Sequence, residues 1–367
     1  MYPFKEFSNN EIQNIKNFSY KTEDTPFLTT PAVQKFFNFI HLYIPNAISP
    51  NQITWLGGAS MLISLIITIC FDSTLKSGNR KLHLANFAFL FLYFSADFMD
   101  GMHARRTNQC SSLGSLLDHG IDSLVCTVII ITAASSLQLG MSRTILFIAY
   151  NMYLGFYMAG MYLKYVGLFK HNLITGESRA LLLLMLVHLI ASFSPNTINA
   201  FKLLASSKGA TLIFTNASFL VISIGHTIIN IIDLIYNITF IRNGFLSFSL
   251  LISFFNLTIL IAFLITLFLN LSFKEPLTFY LSLISFSLSF TLCYIEETLS
   301  IMTTLNQSIA TYLFSYFFIG LIISAIFMKA SKLTFGLLFS LSLIHFLLRI
   351  GSILRGLSVA LNVKLLF

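Results

Sequence analysis

Residues 97–122 read DFMDGMHARRTNQCSSLGSLLDHGID, and four of the chain's seven aspartates fall within them. The flanking sequence is almost wholly apolar, so these acids stand where hydrocarbon begins. Asp97 and Asp100 are three residues apart and Asp118 and Asp122 four apart, so on helices each pair projects from one face. A polar link with Arg105 and Arg106 separates the pairs. Two helices joined by so short a link lie side by side, and the four carboxylates converge on one pocket near a membrane surface.

Composition sets the wider frame. The 367 residues are 56% hydrophobic and 10% charged, with a mean hydropathy of +0.81. Soluble domains carry about 25% charged residues. Repeated apolar stretches of about 18 to 25 residues match a bilayer core crossed as helix. The expected fold is therefore all-α, a polytopic membrane protein of about ten spans. These are expected near 53–71, 83–104, 113–139, 143–169, 179–194, 212–240, 246–272, 278–300, 304–328 and 333–354. Residues 32–48 alternate aromatics with Gln34, Lys35, Asn38 and His41, too polar to span, and are expected as an N-terminal amphipathic helix in the interface. Ser49-Pro50-Asn51 resembles a helix start.

The organisation expected is a cytosolic segment 1–52, catalytic helices over 53–240 and additional membrane helices over 241–367. The polar first residues lack a signal-peptide core, so the first span is expected to direct insertion. Cys70, Cys110, Cys126 and Cys293 form no CxxC pair and read as small buried hydrophobes. The net charge of +8 suits anionic headgroups and gives no reason to expect nucleic acid.

Four carboxylates in a low-dielectric site need compensating positive charge. Hard oxygen donors in this number suit Mg²⁺ or Mn²⁺, and four can hold two such ions. A pair of divalent ions is a recurring device of phosphoryl transfer. Gly101, Ala104 and Gly114 leave room for a ligand to press against helix backbone, and Arg105 is placed to meet phosphate. A proton relay, an ion path or structural ion pairing is the competing reading of acids in a membrane; interleaved glycines and arginine weigh against it.

The same residues satisfy D-x2-D-G-x2-A-R-x8-G-x3-D-x3-D at Asp97, Asp100, Gly101, Ala104, Arg105, Gly114, Asp118 and Asp122. The stretch thereby resembles the CDP-alcohol phosphotransferase family. HARRTNQCSSLGSLLDHGIDS is similar to the eukaryotic choline and ethanolamine phosphotransferase branch, as is PNAISPNQIT with Pro50, Asn51 and Thr54. The resemblance is sharp over about 45–125 and diffuse beyond. It implies Asp97, Asp100, Asp118 and Asp122 as metal ligands, with Asp122 or His119 as general base. It implies a cytidine and phosphate pocket of Asn51, Gly101, Ala104, Arg105 and Gly114, with Glu177 at its mouth. The partners implied are CDP-choline or CDP-ethanolamine and diacylglycerol, giving phospholipid and CMP. A homodimer in the endoplasmic reticulum or Golgi, its active site facing the cytosol, is also implied. The branch often carries a Glu four residues before the His, where this chain has Ser115. A CDP-diacylglycerol donor with a soluble alcohol, and a transporter or inactive relative, are the alternatives.

Elsewhere, His103 reads as a surface residue. His188 and His345 read as satisfied interior histidines, Glu296 and Glu297 as interhelical partners of Arg349, and Asp233 as structurally paired with His226 and Asn230.

Overall fold

The computed structural model describes residues 6–18, 21–22, 31–169, 177–194, 198, 225, 227–229, 231–241, 275–303 and 331–363. Apart from two-residue extended pieces at Lys21–Thr22 and Leu168–Phe169, the regular structure among them is helical. The helices are α1 (Asn9–Asn17), α2 (Pro31–His41), α3 (Pro50–Phe71), α4 (Arg80–Arg106) and α5 (Ser112–Ser136). They continue as α6 (Arg143–Val166), α7 (Glu177–Phe193), α8 (Pro276–Thr303) and α9 (Lys332–Leu361). Among the described residues α3, α4, α5, α8 and α9 are long and apolar enough to cross a membrane, and the chain is an integral membrane protein. The expected spans 246–272 and 304–328, and most of 212–240, lie outside the described residues.

By internal contacts the chain divides into two units. One gathers Met1–Ser60, Leu92–Val125 and Tyr280–Phe367; the other gathers Met61–Phe91 and Cys126–Phe279.

In the first unit, small residues bring helices close enough for backbone-to-side-chain packing, as interfaces between membrane helices require. A Cβ on Gly57 of α3 would stand 3.0 Å from Ala96 Cβ of α4. One on Gly58 would stand 2.9 Å from Ile121 of α5, and one on Gly120 would stand 2.9 Å from Ile295 of α8. Ser123 then donates to Thr291 at 2.8 Å across the α5–α8 contact. The acid-bearing turns of α5 are thus wedged between α3 and α8.

The polar N-terminal segment contributes a helix that its composition conceals. Ser8 and Glu11 form a capping box for α1, with Ser8 N donating to Glu11 Oε2 at 2.8 Å. Ile15 of α1 is buried with Leu113, Leu116, Ile295, Leu299 and Ile353. Ser112 Oγ donates to the Ile15 carbonyl at 2.5 Å, tying α1 to the first turn of α5.

Helix α2 is shorter than the expected amphipathic segment, ending at His41 with turns following. Pro45 explains this, because it lacks an N–H and disfavours the α region for the residue before it. Phe37 is buried against Phe94 and Phe98, while Phe36, Phe39, Leu42 and Tyr43 are exposed.

Three expectations are corrected here. Cys70 and Cys110 are exposed, and only Cys126 and Cys293 are buried; on a membrane helix an outward face is apolar as well. His103 is 0% exposed rather than superficial, because α2 and its following turn cover it. Its Nε2 donates to the Ile48 carbonyl at 2.8 Å, which leaves Nδ1 to accept from His41 Nε2 at 3.1 Å. Arg106 closes the group by donating to the His41 carbonyl at 3.1 Å. Burial, then Arg106, then His103 hold the His41 imidazole below its ordinary pKa. Only one nitrogen of His188 is satisfied: Nδ1 meets Ser136 at 2.6 Å, while buried Nε2 has no hydrogen-bond partner.

The second unit holds a polar cluster of its own. Asp72 Oδ1 accepts from the backbone N–H groups of Lys76 and Ser77, at 2.9 and 3.0 Å, and its Oδ2 accepts from Ser135 at 2.6 Å. Ser136 lies between the Nδ1 atoms of His83 and His188. Asp233 is paired with the Tyr162 hydroxyl and with Asn237; His226 and Asn230 lie outside the described residues. In the first unit, Arg349 Nε donates to Glu296 at 2.6 Å, the expected interhelical pair.

Candidate active site

The acid-bearing ends of α4 and α5 are joined by residues 107–111. The turn is made by Asn108, at φ +56°, one of the few residue types that enters the left-handed region readily. Gln109 N donates back to the Ala104 carbonyl at 2.8 Å, finishing α4. This short link sets the two helix ends side by side, as the spacing of the acids requires.

On α5, Asp118, His119 and Asp122 present donor atoms that all lie within 4.8 Å of one another. His119 Nδ1 faces Asp122 Oδ2 at 3.8 Å, and both side chains are buried. The other oxygen of Asp122 accepts from the Tyr93 hydroxyl at 2.6 Å. On α4, Asp100 is 6% exposed, accepts from the Thr54 hydroxyl at 2.5 Å, and lies within electrostatic range of Asp122 and His119. Two helices therefore contribute acids to one site, and α3 supplies a hydroxyl to it.

Asp97 stands one turn before Asp100 and is half-buried; it is outside the close donor group. Arg105 is exposed, and its guanidinium lies 3.5 Å from where a Gly101 Cβ would be. Ala104 is half-buried beside it. The backbone at Gly101 is thus open to a ligand, with a cation above it. Gly114 differs: the space of its missing side chain faces buried Asn51, whose Oδ1 would be 3.3 Å from a Cβ there. That glycine lets the start of α5 approach the start of α3. Beside the contact lies a cleft of about 480 Å³ lined by Asn51, Asn108, Gln109, Cys110, Ser111 and Asn362. Glu177 opens α7, in the second unit. Ser115 is on α5, one turn before His119.

Tyr93 was not legible as a site residue. Its signal is positional: it lies four and seven residues before Asp97 and Asp100, on the same face of α4.

The donor set fits a hard divalent cation. The carboxylates of Asp118 and Asp122, with Asp100 within electrostatic range, are the hard oxygen donors such an ion takes, and the His119 imidazole lies beside them. Acids this deeply buried need positive charge among them.

Residues 47–223 match the family model described as CDP-alcohol phosphatidyltransferase. The chain is 34% identical over 179 residues to a CDP-diacylglycerol–serine O-phosphatidyltransferase of Encephalitozoon cuniculi, covering 49% of this chain and 47% of that one. It is 32% identical over 150 residues to choline/ethanolaminephosphotransferase 1 of Saccharomyces cerevisiae, covering 40% and 38%. It is 39% identical over 114 residues to cholinephosphotransferase 1 of Rattus norvegicus, covering 31% and 29%. The matches span about half the length of these relatives or less.

Proposed function

We propose that the chain transfers phosphocholine or phosphoethanolamine from the CDP-alcohol to diacylglycerol, forming phospholipid and CMP. The observation that carries this reading is the close grouping of Asp118, His119 and Asp122, with Asp100 within electrostatic range, in a chain that holds the complete eight-residue motif.

His119 takes the proton from the sn-3 hydroxyl of diacylglycerol. The hydroxyl oxygen forms a bond to the phosphorus that bears the amino-alcohol, and the bond from that phosphorus to the bridging oxygen breaks. CMP leaves with the bridging oxygen. Asp122 suits an orienting role more than a proton-accepting one, because Tyr93 takes one of its oxygens while the other faces His119 Nδ1. It stands in for the carboxylate that Ser115 does not supply. Asp97, Asp100, Asp118 and Asp122 hold Mg²⁺ or Mn²⁺, in two ions. Ions held there would supply positive charge to offset that of the phosphates and the leaving CMP. Arg105, over the open Gly101 backbone, meets the phosphates, and Asn51 and Gly114 frame the nucleotide side. Glu177 is carried over from the resemblance as a further substrate-binding residue.

The nucleotide donor is cytosolic, so the site faces the cytosol from an endoplasmic reticulum or Golgi membrane. The chain works there with about ten spans, as a homodimer. The exposed Phe36, Phe39, Leu42 and Tyr43 beside buried Phe37 support an interfacial placement of α2.

A second reading has one specific observation in its favour, the Encephalitozoon cuniculi relative. In it the same site takes CDP-diacylglycerol and a soluble alcohol such as serine. The deciding experiment offers purified chain two donor–acceptor pairs, CDP-choline or CDP-ethanolamine with diacylglycerol, and CDP-diacylglycerol with serine. Metal-dependent product from the first pair supports the proposal. Product from the second alone replaces it with the other reading.

A further inference from the structure

Two carboxylates of the site are each held by a hydroxyl from outside the motif. Thr54 on α3 donates to Asp100 Oδ2 at 2.5 Å, and Tyr93 on α4 donates to Asp122 Oδ1 at 2.6 Å. Both contacts are at the short end of O–H···O⁻ distances, as charge-assisted bonds are. Thr54, Tyr93, Asp100 and Asp122 are all less than a tenth exposed, so no solvent competes for these oxygens.

The hydroxyls are also braced. The Tyr93 ring packs against α3 at Gly57, where an added Cβ would stand 3.5 Å from Tyr93 Cδ2. Next to it Gly58 abuts Ile121, the neighbour of Asp122. Helix α3 therefore presses on the tyrosine and on the backbone that carries the acid, and the hydroxyl has little freedom to swing away.

An oxygen that accepts a short hydroxyl bond has committed a lone pair and part of its charge to that donor. For the carboxylate to chelate a cation with both oxygens, that bond must be broken or bent. The second oxygen of Asp122 carries no such bond and faces the His119 imidazole at 3.8 Å, while Asp100 also receives the Gly101 backbone N–H. Divalent ions differ in what they ask of such a group. Ca²⁺ takes six to eight oxygens in flexible geometry and readily uses both oxygens of one carboxylate, while Mg²⁺ needs a compact octahedron of single oxygens.

We propose that Tyr93 and Thr54 are positioning residues that set the ion preference of the acid cluster, by restricting Asp122 and Asp100 to one oxygen each and so disfavouring Ca²⁺. This inference rests on the metal-dependent reading above and deepens it. The hydroxyls touch neither substrate nor ion; they act through the carboxylates.

The test is metal binding, without substrate. Full-length protein in detergent is titrated with Mn²⁺ and the free ion is followed by electron paramagnetic resonance; Ca²⁺ is then added as competitor. Wild type is expected to hold Mn²⁺ against Ca²⁺. Tyr93→Phe and Thr54→Val are each expected to shift the Ca²⁺-to-Mn²⁺ competition ratio towards Ca²⁺ by about tenfold, the lower range for changes to groups that orient metal ligands. Thr54→Ser keeps the hydroxyl and is expected to keep the wild-type ratio, which a role in packing alone does not explain. Thermal melts accompany each variant. Should Tyr93→Phe melt early, the Thr54→Val and Thr54→Ser pair decides. An unchanged ratio in folded variants that still bind Mn²⁺ overturns the inference and leaves the metal-dependent reading standing. Failure of wild type to take up any Mn²⁺ overturns that reading, and the inference with it.

Discussion

The polar cluster around Asp100 and Asp122 and the polar cluster around Asp72 are both buried among apolar helices, and they treat their carboxylates in different ways. Asp72 closes a turn: two backbone N–H groups and the Ser135 hydroxyl are spent on its two oxygens. Asp100 and Asp122 each receive one side-chain hydroxyl, Asp100 the Gly101 backbone N–H as well, and both face further acid or imidazole. A carboxylate has room for about four hydrogen-bond donors. Protein donors converge on both oxygens of Asp72, whereas the other two acids are arranged among like charges, which is unfavourable unless a cation joins them. Burial alone does not mark an acid as functional; the company it keeps does.

The sharpest way to break this contrast is to remove groups from each cluster and compare. His119→Ala is expected to lower CMP release by about 10²- to 10⁴-fold, the usual contribution of a positioned base, with the fold retained by circular dichroism. Asp122→Asn and chelation of divalent ions are expected to reduce release comparably. Asp72→Ala should do the reverse, leaving release per folded molecule unchanged while costing about 3 kcal/mol of stability through orphaned buried donors, read as a lower melting temperature. If Asp72→Ala abolished turnover in folded protein, the distinction between the clusters would fail.

A smaller effect is expected behind the acid helix. Gly120→Ala places a methyl 2.9 Å from the end of the Ile295 side chain, and overpacking of this sort costs about 1–3 kcal/mol. Ile295→Val should recover part of that loss, and a double-mutant cycle on melting temperature measures the coupling.

The smallest effect belongs to His41. Its imidazole is held below the ordinary value, so between that depressed pKa and about 6.5 the unfolded chain binds a proton that the folded chain does not. Stability therefore falls as pH drops through this window and is level above it. His41→Gln is expected to flatten the pH dependence of the melting temperature below about pH 6.5, while CMP release at neutral pH serves as the internal reference.

Much of the site was legible because the helical period is strict. Acids three and four apart on apolar helices share a face wherever those helices go, and a five-residue link leaves them little choice but to pair. The hydroxyls of Thr54 and Tyr93 were harder to assign. Thr54 stood only as part of a resemblance, and a tyrosine inside FLFLYF reads as packing until the fold shows an acid opposite it. Helix α1 was hidden for a related reason. Its segment is polar by composition, and the short apolar period of Ile12, Ile15 and Phe18 is easily passed over among hydrophilic neighbours. The overlong reading of α2 came from weighing its amphipathic pattern above Pro45. His103 reads as a surface residue because it fills a variable position inside the motif, and nothing local announces that α2 covers it. The partner of Gly120 was illegible in principle, since Ile295 is chosen by tertiary packing across 174 intervening positions.

That last contact has a genetic consequence. The turn bearing Asp118, His119 and Asp122 is propped from behind by Ile295, and the first turn of the same helix is tied to Ile15. Both residues lie outside the 47–223 region that carries the family match. Alleles that silence this chain should therefore map to three distant stretches of its gene. Substitutions at Ile15 or Ile295 are expected to phenocopy motif lesions, and to be suppressed by second-site changes in the first turns of α5.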